Sequence, residues 1–176
     1  RELKDYVNFD KSSLLDMACG NADLLKNNKI KDYTGVDIDK NKIDLNRVKY
    51  KNKEFYLDDI LKFKTSKKFD FLVCLETITV NTKFNDSEIE LLSNNMDKNL
   101  LNNGVIFLNF SSHFFNTFTK LFLDKKKFIV EKKIRYGVFS GRYSNLSCKF
   151  LSYLENIKIL REIFGNKFFL VIKKTS

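Results

Sequence analysis

The alternation of short apolar runs with helical stretches limits this chain more than any other feature. Five runs set the rhythm: "SLLDM" at 13–17, "YTGVDI" at 33–38, "EFYLD" at 54–58, "FDFLVCL" at 69–75 and "GVIFLNF" at 104–110. Several are nearly continuous in apolar residues, as strands covered on both faces are. Between them, "ADLLKNN" (22–28), "KNKIDLNRVKY" (40–50), a short "ILKF" (60–63) and "DSEIELLSNNMDKNLL" (86–101) read as helices. Strand, crossover helix, strand implies an α/β fold with a parallel sheet. "NNG" at 102–104 is expected to end the last of these helices before the fifth strand.

Past residue 110 the rhythm changes. "HFFNTFTKLFL" (113–123) fits a helix, its phenylalanines packing on the sheet, and residues 127–143 read as an extended hairpin or ordered loop with glycines at 137 and 141. Residues 144–156 read as a helix with Ser144 as N-cap. The runs "IKILREIF" and "KFFLVIKK", joined by Gly165-Asn166, are predicted to form a terminal antiparallel hairpin. One domain over residues 1–176 accommodates all of this, with no repeat and no linker.

No apolar run approaches the ~20 residues of a membrane span, and the start, "RELKDYVNFDK", is charged and unlike a signal peptide. Three dispersed cysteines (Cys19, Cys74, Cys148) suggest neither a metal motif nor a disulfide framework, and fit a reducing, cytoplasmic setting. The net charge of +10 has two readings. One is attraction to a phosphate-rich partner such as nucleic acid. The favoured one is composition bias, because the lysines are scattered and the chain contains many Asn, Ile, Phe and Tyr but no Pro.

The first strand leads into "LLDMACGNADLL" (14–25), where only small or polar residues follow Asp16 before the apolar pattern resumes. In such sheets a ligand sits at the carboxyl ends of the strands, where strand order reverses. The turn there must let backbone approach the ligand closely, which suits Ala18, Gly20 and Ala22 at alternate positions, with Gly20 free to take unusual backbone angles. A pyrophosphate would be repelled by a carboxylate at this turn. Asp16 therefore points to a cationic or donor-rich ligand; alternatively it caps the turn amides.

These residues resemble the first motif of the class I S-adenosylmethionine-dependent methyltransferases, with alanines for glycines at 18 and 22. "YTGVDIDKNKI" is similar to the second motif, whose acid, here Asp37, takes both ribose hydroxyls. "EFYLDDILKF" looks like the third, in which Asp59 meets the adenine amino group and the backbone of Ile60 meets the ring. "KFDFLVCLETITV" resembles the fourth strand and its sequel, with Glu76 at a position often acidic in the family. The fifth strand and the terminal hairpin complete the likeness, which runs from about Ser12 to Lys174.

The resemblance implies a Rossmann-like three-layer sandwich, its seven-stranded sheet mostly parallel with an antiparallel C-terminal strand. It implies S-adenosyl-L-methionine as cofactor, met by Asp16, Ala18, Cys19, Gly20, Asp37, Ile38, Asp59, Ile60 and Glu76. It also implies a substrate lid, part of which is expected to be missing at the N-terminus. Two departures matter: the first blurs the subgroup, and the second bears on the acceptor. Val80 stands where one large subgroup has a histidine, and no "NPPY"-type motif follows the fourth strand, which argues against base or glutamine amino groups.

Each assignment has a structural alternative. Asp37 would merely cap the next helix, a role open to Asp39 also. Asp58 and Asp59 face opposite ways, and Asp58 is taken as solvated. Glu76 would be only a strand-end polar group. His113, the single histidine, follows the fifth strand and is the candidate catalytic base, against a purely structural role among phenylalanines. Tyr136, Arg142 and Tyr143 lie in a segment suited to covering the site, with Arg142 able to grip an anionic acceptor.

The function expected is methyl transfer to an O, N or C nucleophile of a small or medium-sized acceptor. An RNA or protein acceptor, or a non-catalytic binding module on the same fold, are the alternatives. No metal is called for, and oligomeric state is not legible.

Overall fold

A computed structural model describes residues 8–78, 84–114, 117, 128–136 and 167–175. In chain order the elements are β1 (Ser13–Met17), α1 (Asp23–Asn27), β2 (Asp32–Asp37), α2 (Lys40–Lys49), β3 (Glu54–Leu57), β4 (Phe69–Ile78), α3 (Asp86–Asn99), β5 (Leu100–Ser111), a 3₁₀ turn (Ser112–Phe114), β6 (Phe128–Tyr136) and β7 (Lys167–Lys174). They build one seven-stranded sheet in the order β3-β2-β1-β4-β5-β7-β6. The first five strands are parallel, and β7 runs antiparallel to both β5 and β6. Strand order reverses between β1 and β4, which places the crevice of the sheet at their carboxyl ends.

Alternation along the strands divides the core in two. Leu15, Met17, Leu72, Cys74, Ile106 and Leu108 join Ile89, Leu92 and Met96 of α3 on one face. Leu14, Tyr33, Val73 and Phe107 join Ala22 before α1 and Ile43 of α2 on the other. The edges of β1 and β4 are locked together where they begin. Asp70 accepts from the backbone N–H and the hydroxyl of Ser13, at 2.9 and 2.8 Å, and returns its own N–H to that hydroxyl.

The helices start on polar caps. Asp39 accepts from the N–H groups of Asn41 and Lys42, opening α2. Asn85 and Glu88 form a reciprocal capping box at α3. The expected stretch at 60–63 is a single turn, closed by the Phe63 N–H on the Asp59 carbonyl at 2.8 Å.

Two expectations change. The Asn-Asn-Gly segment does not end α3, which stops at Asn99 and passes directly into β5. Instead it forms an irregularity inside β5: Asn103 takes φ 63, and five steps of β5 oppose two of β4 between Leu100 and Val105. A bulge absorbs the turn residues without breaking the strand. β7 is paired antiparallel on both edges, by β5 and by Phe128–Tyr136, a run that the sequence offered only as a hairpin or an ordered loop. Residues 157–166 lie outside the described residues, as do 144–156 and most of 113–123; Phe114 is buried, as expected for core. Among the described residues no helix is long and apolar enough to cross a membrane.

Candidate functional site

The turn after β1 has an unusual backbone. Ala18, Gly20 and Ala22 have φ of 63, 51 and 52°, so every second residue is left-handed. Side chains beyond Cβ are poorly tolerated there, and alanine itself is strained. The alternation of small residues is therefore a demand of the backbone path as well as of ligand approach. The turn is tied down by hydrogen bonds from Cys19 N–H to the Val36 carbonyl at 3.0 Å and from the Asn46 side-chain amide to the Gly20 carbonyl at 2.8 Å. A Cβ placed on Gly20 would meet no atom within 4 Å, so the space above this turn is open.

Asp37 closes β2 beside that space. One carboxylate oxygen accepts from Gly20 N–H at 2.7 Å and the other from Asp39 N–H at 2.9 Å. Capping of α2 falls to Asp39, so Asp37 is preoriented by backbone and not consumed by the helix. The end of β3 is placed next to it: Asp58 N–H donates to the Asp37 carbonyl, and Asn95 of α3 donates to the Ile60 carbonyl at 2.6 Å. Asp59 accepts from Leu61 N–H at 2.9 Å, while Asp58 is exposed, as expected.

Around these strand ends lies a cavity of about 340 Å³, walled by Ala18, Asp37, Ile38, Asp59, Ile60, Thr77, Phe84 and Glu88. Small-molecule sites span ~300–1,000 Å³. Ile38 is 74% exposed, an apolar surface left open on this wall. Three carboxylates line the cavity and none of these lining residues is basic, in a chain of net charge +10. A second cavity, about 360 Å³, lies beside Asp10, Tyr50 and Lys53; it holds no strand-end carboxylate and no residue of the left-handed turn.

Of the sequence candidates, Ala18, Asp37, Ile38, Asp59 and Ile60 come together on the wall, with Gly20 adjoining through its bond to Asp37. Asp16 does not line the cavity. It alternates away from Leu15 and Met17 into the other half of the core, and there accepts from the Tyr33 hydroxyl at 2.7 Å. Burial, opposed by the Tyr33 bond and reinforced by Asp37 and Asp23, raises its pKa to about 7.

Cys19 is also turned inward, where burial and then the Asp16 and Asp37 charges push its thiol far up. Cys74 is pushed up to about 12 by burial, and Cys148 is outside the described residues. Glu76 stands off the wall, held by Asn109 and Lys167. His113 is exposed on the 3₁₀ turn after β5, edge-on to Phe114, and does not line the cavity. Tyr136 closes β6 opposite Lys167; Arg142 and Tyr143 lie outside the described residues.

Thr77, Phe84 and Glu88 escaped the sequence reading. Glu88 was within reach of it, because "NDSE" at 85–88 spells a capping box and so places a helix start on this rim. Gly35 was also missed: a Cβ there would come within 2.9 Å of the Cys19 sulfur and the Phe55 ring, so β2 needs glycine for the turn to pack.

No protein-family model and no curated protein matches the sequence. Solved structures do match in shape. An S-adenosylmethionine-dependent methyltransferase from Clostridium acetobutylicum ATCC 824 aligns with a TM-score of 0.67 over 99% of this chain and 95% of that one, at 13% identity. StiE O-MT aligns with a TM-score of 0.69 over 99% of this chain and 72% of its own, at 14% identity. Streptomyces venezuelae DesVI aligns at 0.51 and 19% identity over 60% of this chain, which spans less than half, 47%, of the DesVI chain. By strand order, crevice position and these superpositions, the chain has the fold of the class I S-adenosylmethionine-dependent methyltransferases.

Proposed function

We propose that this chain binds S-adenosylmethionine and transfers its methyl group to a nucleophile on a small or medium-sized acceptor. The observation that carries this reading is the charge of the cavity: Asp37, Asp59 and Glu88 on the wall, and no basic group among the described residues that line it. A dinucleotide or other phosphate ligand would be repelled there; a cationic ligand rich in hydroxyl and amino donors is suited to it. The residues fit that cofactor part by part. Asp37, with each oxygen already aligned by a backbone N–H, offers its remaining lone pairs to a ribose diol. Ile38, exposed on the wall, suits the face of an adenine ring, with Asp59 and the Ile60 backbone at its edge. The open space over Gly20 suits the amino-acid tail.

When bound, the sulfonium supplies a methyl carbon already activated for displacement. The task left to the chain is to orient the cofactor, exclude water and hold the acceptor in line. That task requires no dedicated nucleophile, and the buried thiols of Cys19 and Cys74 offer none. The acceptor would be met at the rim beyond β4 and β5, near His113.

Mass spectrometry of small molecules released from the purified protein tests the reading. S-adenosylmethionine or S-adenosylhomocysteine in the released fraction is expected. Recovery of a nicotinamide or flavin dinucleotide would contradict it.

A further inference from the structure

Glu76, on β4, is a non-glycine residue held left-handed, at φ 55. It lies in an irregular stretch: Cys74 pairs with Leu108 and Ile78 with Phe110, so four steps of β4 oppose two of β5. Asn109 lies between those two β5 partners and is buried at 6% exposure. Its amide grips Glu76 at both ends. The Oδ1 accepts from the Glu76 backbone N–H at 2.6 Å, and the Nδ2 donates to the Glu76 Oε1 at 2.6 Å. Lys167, at the start of β7, donates to Oε2 at 2.5 Å. The next residue, Thr77, bonds back to the Leu75 carbonyl and forms the β4 part of the cavity wall; Ile78 then returns to the core.

A left-handed glutamate is unfavourable by itself and persists where its surroundings impose it. Bulges beside functional sites re-aim a side chain in this way. Without the Asn109 amide, the Glu76 N–H loses its acceptor and the residue relaxes toward extended backbone. Successive side chains would then alternate regularly, and Thr77 would leave its place on the wall.

We propose that Asn109 is a positioning residue of the cofactor site, acting through the backbone of Glu76 to hold Thr77 against the cavity. The inference rests on the cofactor reading above. It does not require Asn109 or the Glu76 carboxylate to touch the ligand.

Calorimetric titration of S-adenosylhomocysteine into a set of variants tests it. Asn109→Ala is expected to weaken binding about 5–20-fold. Adding Glu76→Gly should return affinity to within threefold of wild type, because glycine takes positive φ without a clamp. Asn109→Asp combined with Glu76→Gln restores a reciprocal pair with its polarity exchanged. It should also bind within threefold, and it serves as the test if Asn109→Ala fails to fold. Wild-type affinity in Asn109→Ala, with only a lowered melting temperature, would overturn the inference and leave Asn109 a stabilising residue. A weakened Asn109→Ala that glycine at 76 does not rescue would overturn it too. A wild-type protein that binds no S-adenosylhomocysteine would remove the cofactor reading itself, and this inference with it.

Discussion

At the scale of single residues, the acids around the first two strand ends divide their work. Asp39 caps α2, Asp37 braces the turn and faces the cavity, and Asp16 is buried against Tyr33. Asp37→Ala removes the acceptor for Gly20 N–H and the proposed diol contact together. Hydrogen bonds to a charged group contribute roughly 1.5–3 kcal/mol each, so cofactor affinity should fall at least ~10-fold in a titration while the circular dichroism spectrum is retained. Asp16 carries a different prediction. Its pKa is raised from 3.8 to about 7, so the native state holds a proton that the unfolded chain releases between these values. The resulting stability is fully present below about pH 4 and is lost as pH rises through 7. Asp16→Asn should therefore unfold at higher denaturant than wild type at pH 8, by on the order of 2–4 kcal/mol, with the difference vanishing near pH 4. A variant no more stable than wild type at pH 8 would refute the burial argument. The place of Asp37 and Asp59 on the cavity wall was legible because each closes an apolar run, in motifs that resemble those of a known family. The inward turn of Asp16 was not, because the acid and small-residue pattern is the same whichever face the carboxylate takes.

At the scale of elements, the left-handed turn and the α3 cap do most to shape the cavity. Gly20→Val places a β-branched side chain at φ 51, in the space proposed for the cofactor tail. It should abolish cofactor binding while preserving most helix and sheet signal; retained binding would show that this turn does not border the site. The Asn85–Glu88 box opens α3 and keeps Glu88 on the cavity wall. Asn85→Ala is expected to cost about 1 kcal/mol in chemical denaturation. The first five strands were readable from sequence because each is an apolar run between helical segments. Beyond β5 that regularity fails. Residues 128–136 read equally well as a hairpin or a loop, and only their pairing with β7 makes them a strand, a long-range fact that local pattern does not contain. The Asn-Asn-Gly segment misled for a related reason: turn residues mark a change of direction or a bulge equally well.

At the scale of the whole molecule, the charge distribution matters more than the net charge. In a chain of +10, the described residues on the wall of the cavity at its switch point include three carboxylates and no basic group. Charges inside a cavity are screened less than those on the surface. Cofactor affinity should accordingly change less than threefold between 50 and 300 mM salt, a range about which surface-driven binding would be far more sensitive. This acidic crevice is expected to take an adenosyl sulfonium and not a dinucleotide. Isothermal titration with S-adenosylmethionine, S-adenosylhomocysteine and NAD tests it most directly. One site per chain is expected for the first two, with no heat for NAD; saturable NAD binding with no response to S-adenosylmethionine or S-adenosylhomocysteine would contradict this.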